Sequence, residues 1–161
     1  MALFSRKAAP RGPTRVDEGW FIDDDPDMRT IIERLFSNAG QRLRLFADAD
    51  AALDALQEQR PPFILVDLDL PGTDGFAFAQ TARTRPDCSD LVLIAFTSSH
   101  EWIVGDRVRQ SGFDTIITKP LAAADLVDTL WRELADRGLV PRDTRPSAPE
   151  EPIEDFDFTA D

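Results

Sequence analysis

The sequence predicts an α/β fold: a five-stranded parallel sheet, doubly wound, with helices on both faces. Three observations carry this. Five short apolar runs recur along the chain, and helix-length segments with capping residues separate them. One run, "FILV" at 63–66, is continuously apolar rather than alternating, as a strand covered on both faces requires.

The elements follow in chain order. "GWFI" (19–22) has strand length and leads into Asp25 and Pro26, which read as the N-cap and first position of a helix. Met28, Ile32, Leu35 and Phe36 line one face of that helix, and Gly40 ends it. "LRLF" (43–46), "FILV" (63–66), "LVLIAF" (91–96) and "TII" (115–117) supply four further strands, with helical segments between them. The last helix carries Leu126, Val127, Leu130, Trp131 and Leu134 on one stripe and closes at Gly138.

These elements lie in residues 18–138, flanked by segments of different composition. Residues 1–17 hold Arg6, Lys7, Arg11 and Arg15 against one acid, with Pro10, Gly12 and Pro13 breaking any period, so they predict a disordered basic arm. Residues 139–161 contain Pro141, Pro146, Pro149 and Pro152, and the final sixteen residues carry six acids and no Lys or Arg; they predict a disordered acidic tail. The central block has 22 acids and 12 bases, so it holds most of the chain's net charge of −12. Such a surface repels nucleic acid and anionic membrane, and no stretch approaches the ~20 apolar residues of a membrane span. The expectation is a cytoplasmic protein with no nucleic-acid or membrane partner. Cys88 is the only cysteine, so no internal disulfide forms and thiolate metal binding is excluded; it reads as a small residue beside the strand at 91–96.

Ligands of an open parallel sheet bind outside the carboxyl ends of the strands. Asp23, Asp24 and Asp25 follow the first run, Asp67 the third, Thr97 and Ser98 the fourth, and Lys119 and Pro120 the fifth. Carboxylates from neighbouring strand ends make a hard oxygen site suited to Mg²⁺. A metal, an ammonium and a hydroxyl grouped around one carboxylate supply what phosphoryl transfer needs, and by position that carboxylate is Asp67. Lys119 adds weight: sixteen of the eighteen basic residues are arginine, and a compact ammonium enters a small phosphate site that a planar guanidinium does not.

"FIDDDPDMR", "VDLDLPGTDG", "AFTSS" and "TKP", in this order, resemble the receiver domain of bacterial two-component response regulators across residues 18–138. The resemblance implies the flavodoxin-like version of the doubly wound fold. It selects Asp67 over Asp69 and Asp74 as phosphoacceptor, because Pro71 and Gly75 stand four and eight residues on. It implies that Asp24 ligates Mg²⁺ directly, that Asp23 acts largely through water, and that Asp69 lends a backbone carbonyl. It casts Thr97 as the hydroxyl that hydrogen-bonds the phosphoryl group and Lys119 as its paired cation. Pro120 resembles the family's cis-proline, and Ser98 is small, as that position must be. Asp25 fits an N-cap; Asp74 and Gly75 read as loop and helix start.

Departures from the family pattern are equally specific. Ile116 stands where many receivers have Tyr or Phe, so an aromatic rotamer switch is not expected. Asp69 puts a carboxylate where side chains of the family often tune hydrolysis. His100, the only histidine, reads as a solvated residue rather than a phosphoryl carrier.

A phosphohydrolase of the haloacid dehalogenase type is the rival from another class, since those enzymes also use "DxD" at a strand end. In them the DxD strand comes first and the acidic pair last; here the acidic cluster is at 23–25 and DxD at 67–69, with Pro71 where Thr or Val is preferred. A phosphorylation-independent interaction module is the third reading, and the full set of phosphorylation groups weighs against it. The 23 residues after 138 are too few for an output domain. The resemblance therefore implies a stand-alone receiver, not an enzyme beyond its own phosphorylation and dephosphorylation. Its phosphoryl group would come from a histidine kinase or a histidine phosphotransfer protein, and its output would pass through protein contacts.

Overall fold

The computed structural model describes residues 14–119 and 123–141. In chain order the elements are β1 (Thr14–Val16), β2 (Glu18–Ile22), α1 (Pro26–Asn38), β3 (Arg42–Phe46), α2 (Ala49–Ala55), β4 (Phe63–Asp67), α3 (Gly75–Arg83), β5 (Val92–Thr97), α4 (Glu101–Ser111), β6 (Thr115–Thr118), α5 (Ala123–Ala135) and β7 (Leu139–Pro141), with a 3₁₀ turn at Pro86–Cys88. Five strands form one parallel sheet in the order β3-β2-β4-β5-β6. The doubly wound sheet expected from the sequence is therefore present.

Side-chain alternation along the strands builds two core layers. Trp20, Ile22, Ile64, Val66, Leu93 and Ala95 point to one face, where they meet Ala52 of α2, Phe78 and Ala82 of α3 and Val108 of α4. Phe21, Leu65, Ile94 and Phe96 point to the other, where Ile32 and Phe36 of α1 and Leu126, Leu130 and Leu134 of α5 cover them. Every residue of β4 is buried, which accounts for its unbroken apolar run. A fully buried Leu or Phe in either layer contributes about 1.5–3 kcal/mol.

The helix starts follow their caps. Asp25 accepts a hydrogen bond from the Asp27 N–H at 2.9 Å, and Pro26 takes the first helical position, where no amide donor is needed. Asp48 and Asp74 cap α2 and α3 in the same way, accepting from Ala51 and Ala77.

Two differences from the sequence reading lie at the edges of the domain. Residues 14–17 and 139–141, assigned to a disordered arm and tail, belong to the folded body: β1 and β7 pair in parallel as a separate two-stranded sheet, with Thr14 opposite Leu139 and Val16 opposite Pro141. Val16 is buried in the α1–α5 layer, and the Thr14 N–H donates to the Gly138 carbonyl at 2.8 Å. Three-residue strands are too short to show a period, and the flanking prolines hid them. The rest of the assigned arm and tail, and Pro120, lie outside the described residues.

The sheet order fixes where a site forms. From β2 the chain winds outward to β3, then crosses back to β4 on the other side of β2. The crevice at this reversal lies above the carboxyl ends of β2 and β4. Asp23 and Asp67 stand at those two ends.

Candidate functional site

Carboxylate oxygens of Asp23, Asp24 and Asp67 lie within 4.8 Å of one another. Asp23 and Asp67 are buried, at 2% and 8% exposure, whereas Asp24 faces solvent. The loop that presents the first two is pinned. The Asp23 N–H donates to the Phe46 carbonyl at 3.1 Å, the Asp25 N–H donates to Asp23 Oδ1 at 2.9 Å, and Arg29 Nη1 of α1 donates to the Asp23 carbonyl at 2.8 Å. On the facing strand the Asp69 N–H donates to Asp67 Oδ1 at 3.1 Å, so the backbone after β4 folds back over its last residue.

That fold-back depends on glycine. Gly72 has φ +72°, and Gly75, at the start of α3, packs so closely that a Cβ there would lie 2.7 Å from the Asp67 carbonyl oxygen and 2.9 Å from Leu68 Cα. The "PGTDG" sequence is thus what this tight strand-to-helix return requires: Gly72 turns the loop, Asp74 caps the helix, and Gly75 lets the helix approach the end of β4.

Thr97 ends β5 and is 1% exposed. Its Oγ1 accepts a hydrogen bond from the Ser99 N–H at 3.1 Å, which leaves the hydroxyl proton for another acceptor. The Lys119 N–H donates to the Thr97 carbonyl at 2.7 Å, which ties the lysine backbone to β5, and Lys119 Nζ sits 4.4 Å from the centroid of the Phe96 ring. The site residues expected from the sequence therefore converge at one end of the sheet.

Its electrostatics are those of an acid cluster short of cations. Burial, followed by the Asp67 and Asp24 charges, raises the Asp23 pKa from 3.8 to about 6; the Asp25 N–H and the Lys119 ammonium pull the other way. Asp67 is raised as well, by burial first, against the lowering effects of the Asp69 N–H and Lys119. Three hard oxygen ligands and an unfavourable excess of negative charge fit a divalent cation of the Mg²⁺ type.

A pH dependence follows for the metal-free protein. Asp23 holds its proton more tightly folded than unfolded, so stability falls as pH rises from about 4 through about 6, and the penalty persists above that. Its size is on the order of 2 kcal/mol after allowance for solvent screening. Metal-free protein is therefore expected to melt higher at pH 5 than at pH 7.5, and Asp23→Asn should remove most of that difference by raising the pH 7.5 melting temperature. Equal pH dependence in the two proteins would contradict this.

The remaining residues singled out in the sequence differ in exposure. Asp69 and Ser98 are exposed, and His100 is exposed at the N-cap position of α4. Ile116 is half-buried against the layer that contains α3 and α4. Cys88 is buried, and burial together with the neighbouring Asp87 carboxylate pushes its thiol pKa up, as befits a core residue. Arg29 was not anticipated. Its signal is its position: one turn into α1, from which a helical side chain runs back toward the N-terminus and the loop before it.

This geometry defines a class. The profile of the response regulator receiver domain matches residues 20–130, and the chain belongs to that family, the receiver domains of two-component systems. The transcriptional regulatory protein AfsQ1 of Streptomyces coelicolor is 32% identical over 117 residues, which are 73% of this chain and 50% of AfsQ1. The chain thus spans about half the length of that relative. The chemotaxis response regulator CheY4 of Vibrio cholerae shares the fold with a TM-score of 0.69 at 22% identity, over 74% of this chain and 99% of CheY4. The receiver domain of the sensor histidine kinase PA1611 of Pseudomonas aeruginosa, solved with a magnesium ion coordinated in its active site cleft, has a TM-score of 0.66 at 27% identity, over 78% of this chain and 99% of its own.

Proposed function

We propose that this receiver accepts a phosphoryl group on Asp67 from a phosphohistidine donor, and that its output passes through protein contacts. The observation that carries the reading is the convergence of Asp23, Asp24, Asp67, Thr97 and Lys119 at one strand-end crevice, with Asp67 at the end of the central strand. An Asp67 Oδ attacks phosphorus, the P–N bond to the donor imidazole breaks, and the imidazole leaves with the electron pair to be reprotonated from solvent. Asp67 must be ionised to attack, and the Lys119 charge favours that form against the burial that opposes it.

Once the group is attached, the Thr97 hydroxyl donates to one phosphoryl oxygen and the Lys119 ammonium pairs with another. The carboxylates of Asp23, Asp24 and Asp67, with the Asp69 backbone carbonyl, would hold Mg²⁺, which when bound supplies neutralisation of the phosphoryl and carboxylate charge. In this reading the protein catalyses only its own phosphorylation and dephosphorylation. The net charge of −10 over residues 18–138 disfavours a polyanionic target and favours a protein one.

A turnover assay tests this reading against a phosphohydrolase. With a generic aryl phosphate and Mg²⁺, slow release limited by the protein's own acyl phosphate is expected; rapid multiple turnover would overturn the proposal. The metal part has its own test. Mg²⁺ at millimolar concentration should raise the melting temperature by several degrees, since a ligand at about 100 times its Kd adds about 2.7 kcal/mol. Asp24→Ala should abolish the rise. A rise retained in Asp24→Ala would remove that residue from the ligand set.

A further inference from the structure

We infer that Arg29 is a positioning residue for cation binding: its guanidinium fixes the peptide between Asp23 and Asp24 so that both carboxylates face the crevice. The inference rests on the proposed metal role of the acid cluster. β2 pairs with its neighbours only as far as Ile22, so the Asp23 carbonyl lies beyond the ladder, on a residue that is 2% exposed. A buried carbonyl there needs a donor. Arg29 Nη1 supplies it at 2.8 Å, across six residues of sequence.

Two other contacts hold the same loop, and neither reaches this group. The Phe46 carbonyl takes the Asp23 N–H, and the Asp25 N–H holds one oxygen of the Asp23 carboxylate. Of these three contacts, the one from Arg29 alone bears on the plane of the Asp23–Asp24 peptide, and that plane sets the direction in which the exposed Asp24 side chain leaves the backbone. Arg29 is itself half-buried and anchored one turn into α1 through its N–H bond to the Asp25 carbonyl. The donor is thus held by the same helix whose cap follows the loop. A charge-assisted bond from a helix to the peptide of a ligand-bearing loop is a device for preorganisation.

The test is calorimetric titration of the full chain with MgCl₂, alongside the rate of labelling by acetyl phosphate as a function of Mg²⁺. Arg29→Met should raise the Mg²⁺ concentration for half-saturation five- to tenfold in both measurements, while the labelling rate at saturating Mg²⁺ stays within about twofold of wild type. Arg29→Gln, which keeps a shorter neutral donor, should raise it at least threefold, and it is read in place of Arg29→Met if that variant does not fold. Half-saturation within twofold of wild type in the folded variant overturns the assignment. So does an unchanged half-saturation with a lowered maximal rate, which would mean that Arg29 acts on the chemistry. If wild type itself takes up no Mg²⁺, the metal reading fails and the Arg29 assignment falls with it, an outcome distinct from failure in the variants alone.

Discussion

Asp67→Asn is expected to abolish acid-stable, base-labile labelling by acetyl phosphate or by a histidine kinase while leaving the fold intact. The amide keeps an oxygen to accept the Asp69 N–H, so the return after β4 is retained. Asparagine has no anionic oxygen to attack phosphorus, so the loss should be complete rather than partial. Because burial already raises the Asp67 pKa, replacing the carboxylate by an amide relieves a desolvation cost. The metal-free variant should therefore melt at or above the wild-type temperature. Labelling at the wild-type level would sink the assignment of Asp67, and loss of labelling together with loss of the folded signal would not support it.

Gly75→Ala is expected to produce the largest loss of stability of any single methyl added near the site. The new Cβ would meet the Asp67 carbonyl oxygen and Leu68 Cα, both backbone atoms that cannot swing aside, with Leu68 Cδ2 at 3.2 Å behind them. Overpacking of this kind costs about 3 kcal/mol. That corresponds to a drop in melting temperature on the order of 10 °C for a domain of this size. Because relief of the clash moves α3 away from the end of β4, labelling of Asp67 should slow as well. Asp74→Ala is the control: it removes the side-chain cap of α3 at a cost of about 1 kcal/mol without crowding β4. A Gly75→Ala melting temperature within a degree of wild type would show that the helix start is free to shift.

The contrast between these positions shows what the sequence makes legible. Both core layers and all five main strands could be read from apolar runs, because burial on both faces leaves a pattern that does not depend on distant residues. Asp67 could be read too, since a carboxylate at the end of a buried run has few structural uses. The part of Gly75 was visible only as a helix start; its closeness to β4 is a distance across the chain and leaves no local mark. Arg29 was hidden for the same reason, because one arginine among sixteen carries no sign that its side chain turns back to a carbonyl. The β1–β7 pair failed from the opposite cause: two three-residue strands have no period, and what orders them is Val16 reaching the α1–α5 layer, with its partner strand beginning only at Leu139.

Thr97 and Ile116 illustrate a subtler limit. Both could be placed by the order of motifs, and the structure puts Thr97 Oγ1 in contact with the Ser99 N–H while Ile116 packs half-buried on the sheet face toward α3 and α4. A β-branched aliphatic at 116 is restricted at χ1 and has no flat ring to swing, so the loop of Thr97 to Ser99 is expected to be the element that moves when a phosphoryl oxygen offers Thr97 a new acceptor.

The central claim is that Asp67 carries the phosphoryl group, and its most direct test is chemical mapping of the labelled carboxylate in wild-type protein. After incubation with acetyl phosphate and Mg²⁺, reduction with borohydride converts an acyl phosphate to an alcohol, and peptide mass spectrometry locates the converted residue. The account predicts homoserine at position 67 alone, with Asp23, Asp24 and Asp69 unmodified. Conversion at any of those three in place of Asp67, or phosphate found on His100, would contradict it.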